Sequence, residues 1–476
     1  MPTPPMTNQR ISQHIYHRAG FGPSIADLAL EKKRTPETIV KYLLKDAEQS
    51  YKPFNVISEP IPDKQTMKMM SQEEKKEVKR LGRTYMQRLN GVWLTQMMEG
   101  KGVLREKMAL FWHDHFACHL KNRIRIVQKY LNTLRKHALG NFRELLHAIS
   151  KEPAMLAFLN NQQNKKAHPN ENFAREVLEL FTLGRGHYTE KDIKEAARAF
   201  TGWGFNMKAE FVFRKGQHDF GSKTFMGKTG NFDGNDILDQ VLDNPQTAQY
   251  ITEKLYRYLV NETIDASIVK KWAKQFYDSD YDIKVLVETI LSSDHFYEGR
   301  NIGAKIKSPI EYLVSIKRML NVTFETMDSP MFVQRALGQV LLFPPNVAGW
   351  PSGRQWIDSN SLMIRLQLPQ VLVMATDFEL PIRESFDADS PFKKKKQFGK
   401  MGRKVKATID WQPLKKLIGN AGEEEAFDKL SKYFLQVSPK YLTYPLVKPH
   451  IQMPEQSLRM KALISRIVST PEFQLC

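Results

Sequence analysis

Apolar residues recur at helical spacing along most of this 476-residue chain, and that periodicity restricts the fold more than any single motif does. Over 104–120, Leu104, Met108, Phe111, Trp112, Phe116 and Leu120 fall on one side of a 3.6-residue repeat, which predicts a core-facing helix. Helical patterning continues over 123–139 and 141–149, with Gly140 as the break. A second block begins at Asn170 and runs through Phe173, Val177, Leu178 and Phe181 to Gly184. Thr189 caps the next helix, with Asp192 three residues on, and Gly202 stops it. Only 210–214 and 223–226 read as strands, and the expectation for them is one small hairpin. The predicted fold class is mainly α, a multi-helix globular body with one small β-hairpin insertion. Its expected divisions are a helical body over 11–377, a basic linker or extension over 378–416, and a C-terminal helical segment over 417–476 that packs back on the body.

Two cysteines, Cys118 and Cys476, cannot supply a disulfide framework, so the hydrophobic core must hold the fold. A formal charge of +19 predicts attraction to anionic partners without naming one. Residues 1–20 contain no unbroken apolar run, which predicts no secretory signal and makes the cytoplasm the default compartment. The uncharged stretch 336–353 is interrupted by Gln339, Pro344, Pro345 and Asn346, so no membrane span is expected.

Polar residues set into apolar helices are the candidates for chemistry. His113, Asp114, His115 and His119 lie on the predicted 104–120 helix, where His115 and His119 are one turn apart and could face one metal or be hydrogen-bonded core residues. Glu171, Arg175 and Glu179 fall on one ridge at i, i+4 and i+8, with Glu176 beside them. That ridge is either an ion-pair ladder or a set of carboxylates facing another helix. Glu144 and His147 have the E-x-x-H spacing of di-iron bundles, but in a single copy. Gly184-Arg185-Gly186 precedes a helix start and reads either as an anion-holding turn or as a plain helix terminus. His218-Asp219, near Lys223, offers an acid–base pair on a loop or ordinary turn chemistry.

Several strings carry a resemblance. They include Phe111-Trp112-His113-Asp114-His115-Phe116, Pro169-Asn170-Glu171-Asn172-Phe173-Ala174-Arg175-Glu176, His218-Asp219-Phe220-Gly221-Ser222-Lys223 and Pro344-Pro345-Asn346-Val347-Ala348-Gly349-Trp350. With Arg18-Ala19-Gly20-Phe21-Gly22 near one end and Pro471-Glu472-Phe473-Gln474 near the other, the chain resembles the bacterial family catalogued as domain of unknown function eighteen-hundred. The resemblance implies a context and no activity. Members are often exported and often encoded beside a sulfatase-like partner, so the alternative compartment is the periplasm, reached with a partner. The functional expectation is an enzyme or enzyme-partner acting on an anionic polymer, with His113, Glu171, Glu176, His218 and Asp219 converging on one site. Its cofactor is left open, with a divalent metal on His113 and His115 as the candidate. The alternative is a non-catalytic binding or scaffolding protein for an acidic partner.

Overall fold

Side-chain caps fix where the helices begin. Ser71 with Glu74, Thr189 with Asp192, Asp233 with Asp236 and Ser308 with Glu311 each form a reciprocal capping box, satisfying backbone N–H groups that a helix start leaves open. The computed structural model describes residues 7–31, 34–59, 62, 64–121, 123–374, 405–437 and 442–476. Helices dominate these residues, and the sheets among them are three two-stranded antiparallel ribbons.

The helix Val103–His115 is the axle of the fold. Every residue in it is buried except Asp114. It packs against Pro36–Gln49, Gln72–Glu99 and Ile124–His137. Burial of Arg105, Glu106 and Lys107 on this helix requires that their charges be met locally; Arg135 grips Glu106 through Nη2 at 2.8 Å and Nε at 2.9 Å. The helix Pro245–Leu259 runs alongside the same region and pairs with Ala266–Asp278.

The strands depart from the expected single hairpin. β1 (Trp203–Phe205) pairs with β2 (Phe211–Phe213), whereas β3 (Lys223–Phe225) pairs with β4 (Lys228–Gly230). The reason lies in the turn after β3: Met226 and Gly227 have φ of 47° and 80°, the left-handed pair of a two-residue turn whose twist suits adjacent strands. The segment 223–226 therefore folds back on 228–230, and 210–214 is left to pair with 203–205 upstream of it.

A third ribbon corrects the expected linker. Residues 378–404 lie outside the described residues, but β6 (Ala407–Ile409) pairs with β5 (Val322–Phe324), and Leu414 is fully buried. Val405, Ala407 and Ile409 alternate against the core with period two, so this part of a basic segment is a strand. Beyond it, Gln456–Val468 packs on Ser359–Met374, and Leu475 bridges to Ile306.

Candidate functional site

Asp114 is the one residue of its helix that is not buried, and a loop closes over it. Trp350 donates its backbone N–H to Asp114 Oδ1 at 2.7 Å. The preceding Gly349 has φ of 86°, and a Cβ there would stand 2.2 Å from the same oxygen, so only glycine lets the loop approach this closely. Burial pushes the Asp114 carboxyl up to about 6, against the Trp350 N–H and the charge of Lys254, which both favour ionisation.

Lys254 reaches this region from Pro245–Leu259 and is partly exposed. Its Nζ donates to Leu180 O and to His115 Nδ1, both at 3.3 Å, and lies 4.9 Å from the centre of the Tyr250 ring. Burial draws the ammonium down to about 8, with Asp114 opposing the shift and Arg257 adding to it. His115 completes the group. Its Nε2 faces Phe181 O at 3.1 Å and must carry the proton there, which leaves the Nδ1 lone pair for Lys254. Burial, and then Lys254, keep this imidazole neutral.

The two carbonyls that anchor the group come from an irregular turn. After Asn172–Glu176 the chain widens into a π-helix over Val177–Thr182. The Thr182 hydroxyl donates to Val177 O at 2.6 Å, and Leu183 and Gly184 both donate to Leu178 O. Leu180 O and Phe181 O are thus turned to side chains, Leu180 O taking the Tyr250 hydroxyl as well at 3.2 Å. Single π turns inside helices recur at functional sites because the extra residue re-aims carbonyls and side chains.

The residues singled out from sequence are each engaged by partners of their own. His113 is buried among Trp93, Tyr130 and Trp350, and its Nε2 accepts the backbone N–H of Leu342 at 3.1 Å. Burial lowers its pKa to about 3, so it stays neutral. Glu171 is partly exposed and stands 3.2 Å from Arg175, whose other contacts run to Glu190. Glu179 leaves the expected ladder for Arg185 and Tyr188, because the π turn inserts a residue and rotates it off the ridge. Glu176 is partly buried, and burial followed by Glu179 raises its carboxyl. His218 is buried between Phe213 and Phe220 with Nδ1 on Thr201 O at 2.8 Å. Asp219 is held by Arg198 at 2.7 Å and receives the Gly221 N–H at 2.8 Å, while Lys223 Nζ binds the carbonyls of Asp219 and Gly221. That loop is a stapled turn.

The metal expectation meets a similar correction. His113 and His115 are two residues apart and so point to nearly opposite sides of the helix, and the lone pair of each is taken, by the Leu342 N–H and by Lys254. Among the described residues no group of three or more His, Cys, Asp or Glu is gathered as a metal site. Sequence reading passed over Lys254, which sits between Glu253 and Arg257 on an amphipathic helix and reads as a solvated charge, whereas Asp114 was signalled by following the apolar run 108–112. A cleft of about 950 Å³ lined by Asn8, Ile25, Arg318 and Leu417 lies on different elements, and its Arg318 is already held by Asp27 at 2.8 Å.

A family model described as "Protein of unknown function (DUF1800)" matches residues 14–475. No curated protein and no solved structure matches the chain.

Proposed function

The chain belongs to that family, and from this premise we propose that it is an enzyme acting on an anionic polymer, with Asp114, Lys254 and His115 as its acid–base centre. The observation that carries the reading is the placement of Lys254 Nζ between His115 Nδ1 and Leu180 O, with the partly exposed Asp114 in its field. Two titratable groups of opposite charge, displaced toward each other by burial, are the arrangement that proton transfer near neutral pH requires. Asp114 is the base and Lys254 the acid or the cation that steadies developing negative charge, while His115 orients the lysine. The net charge of +19 favours polyanions as substrates.

The wild-type chain incubated with heparin, inorganic polyphosphate or RNA should generate new chain ends from one of them. Asp114→Asn and Lys254→Met should each lower that rate by about 10²–10⁴-fold while leaving a folded protein. Full activity in Asp114→Asn would end the reading. A second reading is a polyanion-binding scaffold, favoured by the fact that Glu171, His218 and Asp219 are held in structural contacts. It expects binding without turnover and no dependence on Asp114. The sulfatase-like partner implied by family resemblance belongs to either reading, as the protein that shares the polymer, and co-purification tests it. No helix among the described residues is long and apolar enough to cross a membrane. The cytoplasm remains the proposed compartment and the periplasm its alternative, which fractionation decides.

A further inference from the structure

Next to the acid–base centre, cations outnumber acids in the core. Arg18, Lys107, Lys307 and Arg365 are each no more than 1% exposed, and Lys305 joins them from a partly exposed position. The carboxylates within the electrostatic reach of Arg18, Lys305 and Lys307 are Glu311 and Glu262. The three cations outnumber these two carboxylates, and Lys107 and Arg365 share Glu311 with them.

Glu311 has little left to offer. One of its oxygens contacts Lys107 Nζ and the other accepts the Ser308 N–H at 2.7 Å as part of the capping box. Arg18 donates Nη2 to Asn301 O at 2.6 Å, but its Nε and Nη1 are buried with no acceptor. The adjacent His17, 3% exposed, likewise has Nε2 without a partner. On the other side, Arg365 donates Nη1 to Lys307 O at 3.0 Å and leaves Nε and Nη2 unmatched. Buried donors on ionised groups are costly unless an acceptor meets them, and these lie around one set of charges.

The cluster has a rim. Tyr258 is partly exposed, and its ring lies 5.1 Å from Lys107 Nζ, 5.6 Å from Lys305 Nζ and 5.0 Å from the Phe111 ring. Phe111 is one turn before His115 on the central helix, and Tyr258 one turn after Lys254 on its neighbour. We propose that His17, Arg18, Lys107 and Lys305 bind a tetrahedral oxyanion, sulfate or phosphate, either free or carried as an ester. A guanidinium edge and an imidazole from the end of Asn8–Arg18, one ammonium group from Val103–His115 and one from the loop before Pro309–Leu320 suit a tetrahedral acceptor, and the surplus of cations over carboxylates suits an anion of high charge. Burial and the neighbouring cations hold Lys305 and Lys307 down to about 8, a depression that a bound dianion would relieve. The site stands on its own contacts and does not require that Asp114 and Lys254 perform catalysis.

The test is thermal unfolding and calorimetric titration of the full chain, prepared free of sulfate and phosphate, with sodium sulfate or phosphate against sodium chloride at equal ionic strength. Saturable stabilisation by the oxyanions beyond the chloride control is expected. Arg18→Gln should weaken it by about tenfold or more, the loss of a charge-assisted contact. Should that variant fail to fold, Lys305→Met, at the rim, is the substitute and should also weaken binding. Asp114→Asn should bind the anion as the wild type does, which separates this result from the catalytic reading. Competition by 4-nitrophenyl sulfate or phenyl phosphate assigns the natural source to esters, and its absence assigns it to the free ion; either upholds the site. Stabilisation that follows ionic strength alone, or saturable binding that neither substitution alters, overturns it.

Discussion

Asp114 is held protonated more readily than a free carboxyl, and Lys254 is held deprotonated more readily than a free amine, so at pH 7 each is ionised against the preference of its surroundings. The catalytic consequence has a definite sign. With Asp114 as base, kcat/KM rises as pH passes about 6; with Lys254 as the protonated partner, it falls as pH passes about 8. The groups that face the pair are His115, neutral throughout, Tyr130 and Tyr258, both raised by burial, and the Arg257 guanidinium. Lys254→Arg should remove the alkaline limb and leave the acidic one. Stability runs the other way. A carboxyl whose folded pKa lies above its unfolded value stabilises the fold fully below about pH 4 and loses that contribution as pH rises through about 6. Asp114→Asn should therefore stabilise the fold at pH 7 by on the order of 1–3 kcal/mol, seen as a higher melting temperature, and the gain should vanish near pH 4. A melting curve for the variant that is lower than wild type at pH 7 would show that the carboxylate is stabilising and the raised pKa wrong. At this scale the polar string at 113–115 was legible because charged and imidazole groups stand out in an apolar helix. The choice among its members was not, since the rotation of about 100° from one residue to the next decides whether a side chain meets Leu342, the Trp350 loop or Lys254. Lys107 and Arg18 were legible for the same reason and were passed over, because a basic residue near apolar ones reads as a snorkelling surface group until burial is known.

Helices could be read from periodicity because the 3.6-residue repeat and the capping residues act locally: Ser71, Thr189 and Ser308 cap as their side chains dictate. The π turn could not be read this way. Its sequence, Val177–Thr182, is an ordinary helical string, and the cause of its widening is tertiary: Lys254, His115 and Tyr250 claim the carbonyls of Leu180 and Phe181. Strand partners escaped for a related reason, since 210–214 and 223–226 were recognisable as extended but their pairing was set by the left-handed Met226–Gly227 turn and by residues upstream. The element-scale prediction concerns the inserted residue. Deleting Glu179, which is bonded to Arg185 and Tyr188 outside the acid–base group, should return the segment to α register and withdraw both carbonyls. The fold should survive with a lowered melting temperature, and activity should fall about 10²-fold through misplacement of Lys254 by roughly 1 Å. Unchanged activity in that deletion would show that the π turn is incidental to the site.

The whole molecule separates its positive charge into two populations with different duties. Arg18, Lys107, Lys307 and Arg365 are buried and fixed by carbonyls, a carboxylate and rings, whereas much of the excess of +19 is free to act on the surface potential. Lys406, Lys415 and Lys416 of the basic segment 392–416 are exposed and belong to the second population. Of the ten Lys and Arg in that segment, seven fall in 392–404, outside the described residues, and these three fall in 405–416, which the fold absorbs. That absorbed part is tied in by the β5–β6 pairing, by the Lys406 N–H on Ser329 Oγ at 3.1 Å, by the Asn321 side chain on Asp410 at 3.1 Å and by buried Leu414. Two deletions should therefore behave differently. Removing 392–404 takes seven charges and none of these contacts, so it should shift elution from a heparin column to lower salt and leave the melting temperature within about 0.5 kcal/mol equivalent of wild type. Removing 405–416 takes three charges, a strand and a buried leucine. Losing the leucine alone costs about 2–5 kcal/mol in a packed core, so the melting temperature should fall sharply while elution changes less. Equal loss of stability in both deletions would mean that 392–404 is as much a part of the core as the strand that comes after it.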